Sequence, residues 1–110
     1  MRVRSQRIFK TAFANRCRVS GQWLTLFAVR NEVGFVRLGI SVGRRFGSAV
    51  ERNRVKRLIR EAFRRIRHEL PPGLDMIVVP KTGDREPSLS ELQISLRSLA
   101  EKIVTRVRPR

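Results

Sequence analysis

The stretch from Val36 to Val79 changes its hydrophobic period twice, and this constrains the fold more than any other feature of the chain. Val36, Leu38, Ile40 and Val42 alternate with Arg37, Gly39, Ser41 and Gly43. That is the period-two pattern of a strand with one buried face and one face of small residues, whose backbone an outside chain can approach. From about Ala49 to Glu69 the period turns helical, with Val55, Leu58, Ile59, Ala62, Phe63 and Ile66 on one stripe. Pro71, Pro72 and Gly73 stop that helix, and the run from Asp75 to Val79 reads as a buried strand. A strand, a helix and a strand in this order predict a parallel crossover, for which the right-handed connection is the default.

The flanks complete the architecture. Ser5 to about Asn15 reads as a short helix carrying Phe9 and Phe13 on one face at i and i+4. After Gly21, the run Trp23 to Val29 is rich in strand formers and is ended by Asn31 and Gly34. Ser88 and Glu91 have capping-box spacing ahead of Leu89, Leu92, Leu96, Leu99, Ile103 and Val107, a last helix that serves core packing. The expected fold is α+β, a small α/β sandwich of order α-β-β-β-α-β-α, with the helices on one face of the sheet and the other face partly open. At 110 residues the chain has room for a single domain, residues 1–110, and shows neither repeat nor linker.

Charge narrows the function. The net charge is +16, and 41% hydrophobic content separates the chain from disordered basic tails. Residues 1–31 hold seven basic and no acidic side chains, and residues 44–67 hold ten basic and two acidic. Such a field on a folded domain selects polyanions, which in a cytoplasm are nucleic acids. The absence of an 18-residue apolar run and of a secretory signal near Met1 points to a cytoplasmic protein with no membrane partner. Cys17 and His68 are each the only residue of their type, so neither a disulfide, a zinc site nor a metal-free acid–base pair is expected. The nine carboxylates are scattered, which argues against a two-metal nuclease.

On a helical wheel with Arg52 at zero, Lys56, Arg67, Arg60, Asn53, Arg64 and Arg57 fall between ~40° and ~140°. Leu58, Ala62, Val55, Ile66 and Ile59 fall between ~240° and ~340°. One side is core and the other a basic ridge. Guanidinium forks pair phosphate oxygens, and Asn53 adds a neutral donor and acceptor. Glu51 and Glu61 are too few to neutralise the ridge.

Arg52-Asn53-Arg54, then Lys56-Arg57 and Arg60-Glu61, preceded by the strand Gly39 to Val42, resemble the signature of the bacterial ribonuclease P protein subunit. Phe9, Phe13 and the run Asp75 to Val79 extend the resemblance over nearly the whole chain. It implies the same order of elements with a left-handed crossover around the basic helix, against the default hand. It also implies a protein partner of a catalytic RNA which, with Mg held mainly by that RNA, removes the 5′ leader from precursor tRNA. The protein then supplies binding and no catalytic residue, and no obligate protein partner is evident.

Carried over by position, Arg52, Asn53, Arg54, Lys56, Arg57 and Arg60 are expected to bind the catalytic RNA. Phe9, Phe13, Leu26, Ser41, Arg44 and Arg45 are expected to line a leader-binding cleft between the first helix and the sheet. Helix packing onto the sheet remains the alternative for Phe9 and Phe13. Two positions depart from the family pattern: Arg16 stands where a glycine is common, and Leu26 where an aromatic is frequent. Trp23 and Phe27, on the opposite strand face from Leu26, are read as core. The competing function is a structural ribosomal or ribosome-assembly RNA-binding protein, which explains the basic helix but not an open cleft flanked by aromatics.

Overall fold

Residues 17–83 and 85–107 are described in the computed structural model. The helix expected at 5–15, with Phe9 and Phe13, lies outside them. β1 is Arg18–Ser20, β2 Leu24–Arg30, β3 Arg37–Ile40, and β4 Leu74–Pro80. Helix α1 is Ala49–Ile66 and helix α2 Leu89–Val104, with short 3-10 turns at Arg44–Phe46 and Arg67–Glu69. The crossover strand β3 is shorter than the alternation suggested, although Ser41 N–H still donates to Val78 O at 2.9 Å.

The sheet order is β1-β2-β4-β3. Strand β4 runs antiparallel to β2 and parallel to β3, so the strand–helix–strand unit is a parallel crossover as its pattern predicts. Both helices begin on capping boxes. Ser88 with Glu91 forms the one expected, and Ser48 with Glu51 forms a second at the start of α1. Each box satisfies amides that a helix start leaves without partners, worth about 0.5–2 kcal/mol for the cap. At the far end α1 tightens through the 3-10 turn, and Pro71 keeps Leu70 extended. Gly73, at φ 79°, then makes the left-handed turn into β4, where its carbonyl accepts from Asn31 N–H at 2.8 Å.

Pairing register assigns the sheet's two faces, because residues opposite one another project the same way. Val19, Leu26, Val78 and Ile40 share the helix side, as do Ala28, Met76 and Leu38. They close one core with Val55, Ile59, Ala62, Phe63 and Ile66 of α1 and Leu92, Leu96, Leu99, Ala100 and Ile103 of α2. The two described helices therefore share one face of the sheet. Full burial of side chains such as Ile59 and Leu96 contributes about 1.5–3 kcal/mol each.

The second face carries Phe27, Ile77 and Gly39 in one row, Thr25 and Val79 in the next, and Val29, Asp75 and Arg37 at the other end. This reverses one sequence expectation. Leu26 is fully buried on the helix side, between Val19 and Val78, and offers no surface to a bound strand. Phe27, read as core, is half-buried on the opposite face and stands outside the core cluster. Trp23 does belong to the core, 8% exposed.

Candidate nucleic-acid interface

The core stripe of α1 sets which side chains face outward. Val55, Ile59, Ala62, Phe63 and Ile66 are buried, an arc from ~280° through zero to ~20°, with Leu58 half-buried at its edge. Phe63, expected on this stripe, extends the buried arc past zero. The basic side is unchanged: Asn53 and Arg57 are exposed, and Lys56 and Arg60 half-buried. Arg52, at zero, falls within the angular range of the core arc but at its N-terminal end, and is half-buried. Arg54, at ~200°, faces another way, and its Nε lies 3.3 Å from Glu86 Oε1.

The two acidic residues of the helix are committed. Glu51 accepts from the Ser48 amide at 3.2 Å, and that capping contact holds its carboxyl below the usual carboxylate range. Glu61 takes Arg64 and Arg65 together, with Arg65 Nε at 2.8 Å, and hydrogen bonds from Arg64 first and Arg65 second lower its pKa to about 2. Positive charge in the last turn is thereby partly quenched. In the first half of the helix, Arg52, Lys56 and Arg57 have no carboxylate partner among the described residues. Arg52 also lies in the first turn, where the helix dipole adds its positive end, so the uncompensated potential is concentrated in the N-terminal half of α1.

Arg44 and Arg45 join that end. The 3-10 turn holding them is closed by Phe46 N–H donating to Gly43 O at 3.1 Å, while the Phe46 side chain packs against the core. With Phe46 turned inward, both arginines are exposed. Gly47 completes the turn, because a Cβ there would stand 2.9 Å from the Glu51 carboxylate. Phe46 and the Ser48–Glu51 box went unassigned in the sequence, although the Ser-x-x-Glu spacing was legible.

The sheet's second face meets this charged corner at Ser41, which is half-buried at the end of β3. Gly39 is itself buried opposite Ile77, so the approachable backbone lies at Ser41 and Gly43. At the other end of this face, Arg37 grips the buried Asp75 through Nε at 2.6 Å and Nη2 at 2.8 Å. Asn31 Nδ2 adds a third bond to Asp75 at 2.9 Å. The structure thus brings Ser41, Arg44 and Arg45 to one corner and Arg52, Asn53, Lys56 and Arg57 onto one helix end. It leaves Leu26 in the core and turns Arg54 toward Glu86, while Phe9 and Phe13 lie outside the described residues.

Among the described residues, no group of three His, Cys, Asp or Glu side chains could hold a metal ion. The carboxylates of Glu61, Asp75 and Glu91 are instead drawn into arginine pairs. His68 is exposed, with Nε2 4.0 Å from Glu69. No described helix is long and apolar enough to cross a membrane.

The chain matches the family Ribonuclease P over residues 1–104. It is 33% identical over 102 residues to the ribonuclease P protein component of a Thermoanaerobacter species, covering 93% of this chain and 88% of the relative. The ribonuclease P protein of Thermotoga maritima superposes with a TM-score of 0.72 at 29% identity over 99% of both chains. That of Staphylococcus aureus gives 0.76 at 28% identity over 97% of both. A basic helix inside a parallel strand–helix–strand crossover, a four-stranded sheet of order β1-β2-β4-β3 and a match along nearly the entire sequence agree: the chain belongs to the ribonuclease P protein family.

Proposed function

We propose that this chain is the protein subunit of a ribonuclease P holoenzyme, acting as one RNA-binding domain in the cytoplasm. It binds the catalytic RNA and the 5′ leader of precursor tRNA, and assists the Mg-dependent cut that leaves the mature 5′ end. The observation that carries this reading is the cluster of Arg52, Lys56 and Arg57 beside Asn53, cations with no carboxylate partner among the described residues on a helix whose apolar stripe is core. Such cations gain most from phosphate, since each contact releases condensed counterions. Arg54 and Arg60 belong to the same interface by position in the family motif. The RNA carries the catalysis and holds the Mg. The protein supplies charge neutralisation and positioning, and the carboxylates of Glu61, Asp75 and Glu91 are paired with arginines.

The leader lies along the second face of the sheet. Ser41, Arg44 and Arg45 track its phosphates at one corner, and Phe27, in place of Leu26, is the aromatic that β2 contributes to that face. Base stacking on such rings is worth about 1–3 kcal/mol per base and tolerates any sequence. Phe9 and Phe13 complete the cleft in this proposal. Family membership also supports a left-handed β3–α1–β4 crossover.

The test is binding of Arg57→Ala to the cognate catalytic RNA across a salt series. Loss of one phosphate contact reduces the slope of log affinity against log salt by about one. Precursor cleavage by the reconstituted holoenzyme should then need more Mg. An unchanged slope places the ridge in solvent and ends the proposal. Preference for ribosomal RNA over the catalytic RNA would favour a structural role instead.

A further inference from the structure

Arg54 differs from the other cations at the start of α1 because it already has an anion: Glu86, in the loop between β4 and α2. That loop is fixed without Arg54. Arg85 donates to both oxygens of Glu91 at 2.8 and 2.6 Å. The Arg85 guanidinium also lies 4.7 Å from the centre of the Trp23 ring, and Glu91 closes the capping box on Ser88. The segment that presents the Glu86 carboxylate is therefore anchored to Trp23, just ahead of β2, and to α2. Beneath the pair is a cavity of about 280 Å³ with Trp23, Leu24, Phe46, Val55 and Leu92 in its wall. Arg54 and Glu86 both border it, so their ion pair ties α1 to the loop across the cavity.

We propose that Glu86 is a positioning residue for RNA recognition. Its carboxylate holds the Arg54 guanidinium in the free protein, and an RNA phosphate takes its place in the complex. The inference rests on the assignment of Arg54 to the RNA interface. Carboxylate and phosphate each offer the guanidinium two anionic oxygens, so one substitutes for the other without change of geometry at the arginine. Glu86 is thus an internal competitor. RNA that offers no phosphate at this point leaves the pair intact, whereas RNA that does must displace the Glu86 carboxylate, which lowers the net gain from Arg54.

The experiment measures affinity of the full chain for its cognate catalytic RNA at fixed salt, with thermal unfolding run beside it. Glu86→Gln removes the charge, while Glu86→Asp keeps the charge but withdraws the carboxylate from Arg54 by one methylene. Both should bind about two- to five-fold tighter than the parent, the range of an exposed ion pair. The gain should vanish when either is combined with Arg54→Ala. Tightening by Glu86→Gln alone, or tightening that survives in the Arg54→Ala background, is a distant charge effect and overturns the proposal, as does no change at all. Arg57→Ala, run in parallel, separates the two readings. If it weakens binding while Glu86 and Arg54 are uncoupled, the ridge stands and the competitor falls; if it too is silent, the interface itself is misplaced.

Discussion

Replacing Arg37 by methionine should be among the most damaging single changes outside the apolar core. Asp75 is 3% exposed, and Arg37 supplies two of the three side-chain hydrogen bonds it accepts from described residues, at 2.6 and 2.8 Å. Hydrogen bonds to charged groups are worth about 1.5–3 kcal/mol each, so the two together amount to about 3–6 kcal/mol. Removing one partner of a buried pair costs about 3–5 kcal/mol by direct precedent, because the remaining charge is stranded. Arg37→Met should therefore lose about 3–5 kcal/mol, a large part of the 5–15 kcal/mol typical of a folded domain. Asp75→Asn should cost less, since Arg37 is partly solvated and the amide keeps a partner in Asn31. The double substitution should recover part of the sum of the two. Urea unfolding with an unchanged m-value reads all three. A cost below about 1 kcal/mol for Arg37→Met, or additivity within about 0.5 kcal/mol, would refute the stranded-charge argument.

Acid should destabilise the protein partly through Glu61. With its folded pKa near 2 and an unfolded value of about 4.3, its contribution is present above about pH 4.3 and is lost as pH falls toward 2. Glu61→Gln should make the acid limb of stability against pH shallower, and superimposable limbs would contradict this. Ser48→Ala removes the hydrogen bond to Glu51 N–H and should cost about 0.5–2 kcal/mol. Gly47→Ala should cost a similar amount by displacing the Glu51 carboxylate from the same box, and a thermal melt of each variant checks both.

What could be read in advance follows from how local each signal is. The α2 capping box and the stop at Pro71 to Gly73 rest on neighbours within a few residues, and so does each change of period that marks strand, helix and strand between Val36 and Val79; all appear in the fold. The face of β2 was not legible, because Trp23 to Val29 is apolar at both parities and alternation cannot choose between them. The choice is made by distant partners: Val19 and Val78 place Leu26 inside, and Ile77 places Phe27 outside. For the same reason Arg37 read as one member of an outward row, although it is neutralised by Asp75 thirty-eight residues later. At the interface, the basic side of α1 came directly from helical period. The distinction between Arg54 and its neighbours did not, since it depends on where the loop bearing Glu86 is anchored.

The place of β4 in the sheet has a consequence for how the chain acquires its shape. β2 and β3 never touch each other as strands; each needs β4, which comes last in sequence and lies between them. During vectorial synthesis the β1–β2 hairpin and α1 can form early, since their contacts are local, but β3 must wait about forty residues for β4, its one partner strand among the described residues. The first 80 residues carry eighteen basic and five acidic side chains, a net +13. A nascent chain of that charge, still without a sheet, is held open by its own repulsion and by any polyanion nearby. Emergence of the nearly uncharged β4 is the event that unites the strands, so slowing translation just before residue 74 should prolong an RNA-adherent intermediate with no native sheet.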